Sequence, residues 1–218
     1  MPTDPRLIVF DFDGTLADTW RDLATALNET LREAGLAVVA GEAVRAWIGD
    51  GLMRLLERAL PASVYTPERV TALYARLRVH YGRCCLDTTT LYPGVSECLA
   101  RLSKHTLAIL SNKPASFLDR MVIGLGLADR FAAVVGGDAL PAPKPDPRAL
   151  AHVAAVAAFS KGEVWMIGDS GLDIASGRAA GARTIGCTWG MRDAEELRAA
   201  QAEFVVEHPL EIPPLIGA

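Results

Sequence analysis

Leu7-Ile8-Val9-Phe10-Asp11-Phe12-Asp13-Gly14-Thr15 joins four apolar residues without a polar break to two acids and a glycine. Such a run reads as a strand buried on both faces, the environment at the centre of a parallel sheet. Side chains alternate along an extended backbone, so Asp11 and Asp13 leave on the same side, while Gly14 permits a sharp turn beneath them. Two carboxylates therefore stand at the carboxyl end of a buried strand, where open α/β sheets bind their ligands.

Beyond this stretch the strand signal stops. Asp18-Thr19 can cap a helix carrying Leu23, Leu27 and Leu31 at helical spacing and ended by Gly35. A second helical run follows Gly49-Asp50-Gly51, with Leu52, Leu55, Leu56 and Leu60 on one face and Pro61 as its stop. A third opens at Thr66-Pro67-Glu68, a cap followed by proline at the first helical position, and runs through Leu73 and Leu77 towards Cys84. From Tyr92-Pro93-Gly94 onward, strands near 106–110, 131–135, 164–167 and 184–187 alternate with helices, and a weaker strand lies at Phe204-Val205-Val206. That alternation implies a parallel sheet with helices on both faces. The expected architecture is α/β, with a core formed by residues 1–15 plus 92–218 and a helical cap, 16–91, inserted after the first strand.

Half of the 218 residues are apolar, enough for a sizeable core. A net charge of −4 without runs of like charge argues against a nucleic-acid partner. No apolar stretch approaches the roughly 20 residues needed to cross a bilayer. The polar Met1–Arg6 segment leads into a strand and does not read as a signal peptide. The expected setting is cytoplasmic, with no membrane partner. Cys84, Cys85, Cys98 and Cys187 lack metal-ligand spacing and read as reduced thiols. Lysine is scarce, confined to Lys104, Lys113, Lys144 and Lys161, which draws attention to those in loops.

Three strands end in polar clusters, Asp11/Asp13, Ser111/Asn112 and Asp169/Asp173. In a parallel sheet all carboxyl ends share one edge, so these clusters can converge. Two like charges about 4 Å apart repel by roughly 4 kcal/mol at an effective dielectric near 20, and several such pairs demand compensation. A carboxylate-rich donor set favours magnesium, which leaves positions for water and a substrate phosphate. Ser111 and Asn112 offer a hydroxyl and an amide to that phosphate, at a strand end leading into a helix. Lys144 lies in Ala142-Pro143-Lys144-Pro145, where the prolines restrict the backbone and pre-position the ammonium. In such a site Asp11 can attack phosphorus, and Asp13 can protonate the leaving oxygen and then deprotonate a water.

Asp-x-Asp-Gly-Thr-Leu at 11–16, Ser-Asn-Lys at 111–113, Lys144 before proline and Gly-Asp-Ser-x-x-Asp at 168–173 follow the order and spacing of the haloacid-dehalogenase superfamily, which the chain resembles over nearly its whole length. The resemblance implies a Rossmann-like core with strand order 5-4-1-2-3, a C1-type helical cap, and an aspartyl-phosphate formed on Asp11. It implies magnesium held by the Asp11 carboxylate, the Asp13 backbone carbonyl and Asp169, supported by Asp173, with Gly14, Thr15, Ser111, Asn112 and Lys144 around the phosphate. Within the superfamily, Trp47-Ile48-Gly49-Asp50-Gly51, Glu57-Arg58-Ala59-Leu60, Ser111-Asn112-Lys113-Pro114 and Thr188-Trp189-Gly190 look most like the phosphoglycolate phosphatases. The resemblance thus implies a small-molecule phosphate ester as substrate and a monomer or homodimer.

Gly49, Asp50 and Gly51 are the cap residues expected at the substrate, and Arg54 is a further candidate. That group often carries asparagine at the Asp50 position. A carboxylate facing the site disfavours a substrate that carries one itself and moves the choice towards sugar or polyol phosphates; a phosphosugar mutase of the same superfamily is the other alternative. Capping of the following helix is the expected role of Asp50. Lys113 either enters the site or neutralises its loop. Hinges are expected near Leu16–Thr19 and Cys85–Tyr92.

Overall fold

The computed structural model describes residues 6–217, and within it Leu7–Phe10 forms the strand β1, at most 2% exposed along its length. Residues 1–5, which the sequence reading assigns to the core and finds unlike a signal peptide, lie outside the described residues. The chain continues through β2 (Ala17–Asp18), α1 (Trp20–Glu33), α2 (Gly41–Trp47), α3 (Leu52–Ala59), α4 (Pro67–Cys84) and β3 (Thr90–Leu91). There follow α5 (Val95–Arg101), β4 (Thr106–Leu110), α6 (Ala115–Gly124), β5 (Ala133–Val135), α7 (Pro147–Val156) and β6 (Val164–Gly168). The chain closes with α8 (Gly171–Ala179), β7 (Arg183–Cys187), α9 (Ala194–Ala199), β8 (Phe204–Val206) and α10 (Ile212–Ile216).

Six parallel strands make the main sheet in the order β5-β4-β1-β6-β7-β8. Counting only core strands, the five from β7 to β5 run in the expected 5-4-1-2-3 order of a Rossmann-like α/β fold, and β8 adds a sixth at the β7 edge. β1 sits at the centre because all four of its residues are apolar and can be covered on both faces. Ile8 and Phe10 face one side layer together with Leu107, Ile109, Trp165 and Ile167. Leu7 and Val9 face the other, against Ala149, Leu150 and Val153 of α7. Period-two alternation thus supplies two apolar layers from one short strand.

Helices α1 to α4 occupy the segment between β2 and β3. Leu23, Leu27 and Leu31 of α1 are buried together with Leu55 and Leu56 of α3 and Leu73, Leu77 and Tyr81 of α4. Full burial of such leucines contributes about 1.5–3 kcal/mol each, which holds short helices that would not persist alone. Thr66 caps α4 through its side chain, which accepts from the Arg69 amide, as its sequence position predicts. Thr19 does not cap α1; its hydroxyl donates instead to Asp13 Oδ1 at 2.5 Å. The α2 helix has too short an apolar stripe to be legible in the sequence, with Val44 its one buried side chain.

The two expected hinge segments pair with each other. β2 and β3 form an antiparallel two-stranded ribbon, Ala17 opposite Leu91 and Asp18 opposite Thr90. Beside it, buried Asp22 accepts from the backbone amides and both hydroxyls of Thr88 and Thr89 at 2.6–3.1 Å. Asp22→Ala leaves these donors unpaired, and a loss of about 3 kcal/mol is expected from chemical denaturation of the variant beside wild type. A difference below about 0.5 kcal/mol would show that solvent replaces the carboxylate. Among the described residues no helix is long and apolar enough to cross a membrane, and all four cysteines are free thiols.

Candidate active site

The carboxyl ends of β1, β4 and β6 bring the three polar clusters together. The Asp11 amide still pairs with the Ile167 carbonyl at 2.8 Å and the Ser111 amide with the Val135 carbonyl at 3.1 Å, so both residues are held by the sheet itself. After Asp13 the chain turns at Gly14, whose φ of +86° suits glycine. A β-carbon there would stand 2.2 Å from Asp169 Oδ2, so the turn needs glycine for space as well. Gly168 plays the same part towards Asp173, where a β-carbon would meet the Asp173 Cγ at 2.2 Å.

Asp11, Asp169 and Asp173 are all buried, each offering a carboxylate oxygen within 4.8 Å of the others. The buried ammonium of Lys144 joins two of them. Its Nζ donates to Asp11 Oδ1 at 2.7 Å, to Asp173 Oδ1 at 2.6 Å and to the Leu110 carbonyl at 3.1 Å, which uses all three of its N–H groups. Asp173 is further fixed by Ser170, whose amide and hydroxyl donate to Oδ2 at 3.1 and 2.6 Å, forming a capping box at the start of α8. Asp169 accepts from the Met191 amide at 2.7 Å and the Thr15 hydroxyl at 3.5 Å, and among the described residues no ammonium or guanidinium contacts it. Gly190 allows that contact, since a β-carbon there would stand 2.3 Å from the Gly14 carbonyl.

Burial pushes the Asp11 carboxyl up to about 7, against the pull of Lys144 and with help from Asp173 and Asp13. Burial likewise raises Asp169 far above the usual carboxylate range, with Asp173 and Asp11 adding to it. Lys144 stays charged, because the two carboxylates outweigh its own desolvation. The site holds four carboxylates, counting Asp13, against the ammonium groups of Lys113 and Lys144. That excess of buried oxygen donors, with Asp169 in no ion pair among the described residues, fits a hard divalent cation such as magnesium.

Without a metal, the raised carboxyls bind protons in the folded state that the unfolded chain has released. The stability that Asp11 contributes in this way is complete below the ordinary carboxylate value of 3.8 and is lost as pH rises through about 7, and Asp169 acts in the same direction. Chelator-treated protein is therefore expected to melt at lower temperature at about pH 8 than at about pH 5, with magnesium restoring most at the higher pH. A metal effect independent of pH in thermal melts would contradict this assignment.

Asp13 belongs to a second group. Its Oδ1 lies 2.8 Å from Lys113 Nζ, and Lys113 also donates to the Tyr81 hydroxyl at 2.5 Å. Tyr81 in turn donates to Met121 Sδ at 3.6 Å, and burial keeps its phenol protonated. Lys113 thus enters the site, the sharper of its two sequence readings. Ser111 lines the same cavity, and its hydroxyl accepts from the Lys113 amide at 3.3 Å.

Asn112 is committed to holding elements together. Its amide nitrogen donates to the Gly49 carbonyl at 3.0 Å and, at 3.4 Å, to the Lys144 carbonyl, while its Oδ1 accepts from the Lys144 amide at 3.0 Å. It therefore aligns Lys144 and ties the 48–51 loop to the sheet. Arg192 donates to the Ile48 carbonyl at 2.7 Å and Arg45 to the Gly190 carbonyl at 2.8 Å across the same junction.

A cavity of about 30 Å³ lies between these groups and the helical segment. Gly49 and Gly51 form part of its wall, as expected, with Leu23, Ile48, Leu52 and Leu55 as an apolar roof. Asp50 does not line it. Contrary to the expected cap, no side chain caps α3, and the Asp50 carboxylate pairs with Arg58. A turn with positive φ at Gly49 and Gly51 carries Asp50 outward, towards its salt bridge. Arg54 is an exposed side chain paired with Glu57 at 2.6 Å and stands away from the cavity wall. Sequence reasoning missed Tyr81 and the Met191 amide, neither of which belongs to a local pattern, and read Leu23 only as part of a helical stripe; Gly190 was visible only as part of Thr188-Trp189-Gly190.

Comparison with known proteins agrees with this geometry. Residues 8–187 match a family described as haloacid dehalogenase-like hydrolase. The chain is 34% identical over 215 residues to a phosphoglycolate phosphatase of Haemophilus influenzae, covering 95% of this chain and 96% of that one. It is 33% identical over 210 residues to a phosphoglycolate phosphatase of Pseudomonas putida, covering 94% and 77%. Among solved structures, a predicted phosphoglycolate phosphatase from Haemophilus somnus 129pt superposes with a TM-score of 0.89 at 26% identity, over 99% of this chain and 100% of the other.

Proposed function

The chain belongs to the haloacid dehalogenase-like hydrolase family and is a phosphatase, and we propose that it is a magnesium-dependent phosphomonoester hydrolase of the phosphoglycolate phosphatase kind. The observation that carries this reading is the buried meeting of Asp11, Asp169 and Asp173, two of them paired with Lys144, beside a cavity that also exposes Asp13.

Lys144 holds Asp11 by Oδ1, which leaves Oδ2 without a hydrogen-bond donor among the described residues and free to attack. Asp11 bonds to phosphorus as the ester oxygen departs, and Asp13 gives that oxygen its proton. Asp13 then takes a proton from a water, which attacks the aspartyl-phosphate, frees Asp11 and releases inorganic phosphate. Asp11, Asp169 and the Asp13 backbone carbonyl would hold magnesium, which would supply positive charge against the phosphate and the carboxylates. Asp173 acts from behind by fixing Lys144, and Ser111 offers its hydroxyl to the phosphate. Thr15 and Gly14 keep the turn against Asp169, and Asn112 keeps Lys144 aligned.

Residues 16–91 act as a cap over the core of 1–15 and 92–218, moving on the paired ribbon of β2 and β3. A cavity of about 30 Å³ holds little more than a water, so a phosphate ester enters only when the 48–51 loop lifts. The test is phosphate release from a panel of small esters with and without magnesium. Release from phosphoglycolate that requires the metal supports the reading; failure to release phosphate from every ester defeats it.

A further inference from the structure

Lys113 and Lys144 are both buried, yet they differ in how fully they are occupied. Lys144 spends its three N–H groups on three acceptors behind Asp11. Lys113 lies on the cavity wall, its side chain 3% exposed, and touches two partners, Asp13 and Tyr81. An ammonium carries three N–H groups, so one of those on Lys113 has no protein acceptor among the described residues. A buried donor of this kind, beside the Asp13 carboxyl that protonates the leaving oxygen, calls for an acceptor on the substrate.

The rest of the wall narrows what that substrate is. The roof of Leu23, Ile48, Leu52 and Leu55 offers no hydrogen bonds from its side chains, so a sugar or polyol would bury hydroxyls without partners. The α3 helix begins at this wall, at Gly51 and Leu52, with no side chain on its first amides, which adds positive potential there. Asp50, whose carboxylate would repel an anion, is turned outward to Arg58.

Building on the phosphatase reading, we propose that Lys113 is the residue that selects the substrate, receiving the carboxylate of a short phosphorylated hydroxy acid while Tyr81 holds the ammonium in place. The substrate class is a small anion at both ends, with a phosphate at Asp11 and a carboxylate at Lys113.

The experiment compares kcat/KM for phosphoglycolate and for 2-hydroxyethyl phosphate, a neutral ester of similar length, in wild type, Lys113→Met and Lys113→Arg. Wild type is expected to favour phosphoglycolate by at least about tenfold. In Lys113→Met both values fall, because Lys113 also touches Asp13, but the carboxylate ester falls about ten- to a hundredfold further. Lys113→Arg, which keeps the charge, is expected to keep the preference. Equal losses on both esters in Lys113→Met, or a wild type without preference, overturn the proposal while the phosphatase reading stands. Absence of release from both esters in wild type overturns the phosphoglycolate phosphatase-like reading itself, and the Lys113 proposal with it. Should Lys113→Met fail to fold, wild-type melts with 3-phosphonopropanoate and propylphosphonate decide the matter: stronger stabilisation by the carboxylate compound supports the role of Lys113, and equal stabilisation rejects it.

Discussion

Asp11→Asn abolishes turnover, with kcat/KM on phosphate esters expected to fall on the order of 10⁵-fold or more, as loss of a covalent nucleophile does elsewhere. The amide is the same size as the carboxylate and keeps an oxygen for Lys144, so the buried geometry has no steric reason to change. What is lost is the anionic oxygen that bonds to phosphorus. Two measurements check it: steady-state phosphate release, and mass spectrometry of acid-quenched protein. The wild type is expected to carry a phosphoryl group on the peptide containing Asp11, and the variant none. A variant within tenfold of wild type would remove Asp11 from the chemistry and with it the mechanism given above.

Lys144→Met has the largest expected effect on stability. Its ammonium touches Asp11 at 2.7 Å and Asp173 at 2.6 Å, with the lysine side chain 2% exposed. Removing it leaves two carboxylates buried without a cation, and breaking such a pair costs about 3–5 kcal/mol. Protonation relieves part of that cost, so the loss in chemical denaturation is expected to be larger at about pH 8 than at about pH 5. Added magnesium is expected to recover part of the difference. Unchanged stability at both pH values would mean that water reaches these carboxylates, against their observed burial. Activity falls as well, since Asp11 loses the contact that orients it.

Much of the candidate site is legible in short segments because its chemistry is local to strand ends. Asp11 and Asp13 share a side by the two-residue period of a strand, Gly14 marks the turn, and Asp169 and Asp173 lie within one short turn at the start of a helix. Lys144 is conspicuous between prolines. The sheet was legible for a similar reason: uninterrupted apolar runs must be covered on both faces, and alternation with helices leaves parallel pairing as the natural outcome.

Other features have no local signature. Asp50 is the clearest case, because its position before a leucine-rich helix reads equally as a cap or as a site residue, and Arg58, which claims it, is eight positions away on the helix itself. Asn112 reads as a phosphate ligand, but its amide is claimed by carbonyls at 49 and 144. Thr19 reads as a helix cap and serves Asp13. Each of these polar groups has several partners within reach once the chain is folded, and burial forces every one of them to be satisfied together.

From the amino-acid order alone follow the strands and most helices, the pairing of acids on one side of β1, and the excess of carboxylate that asks for a cation, since all of these depend on periodicity and charge within a few residues. Folding settles which side chain answers which. Lys144 reaches Asp11 across 133 positions, and Tyr81 reaches Lys113 across 32. Such choices rest on the packing of the helical segment against the sheet, a sum over many distant contacts that no single stretch of sequence contains.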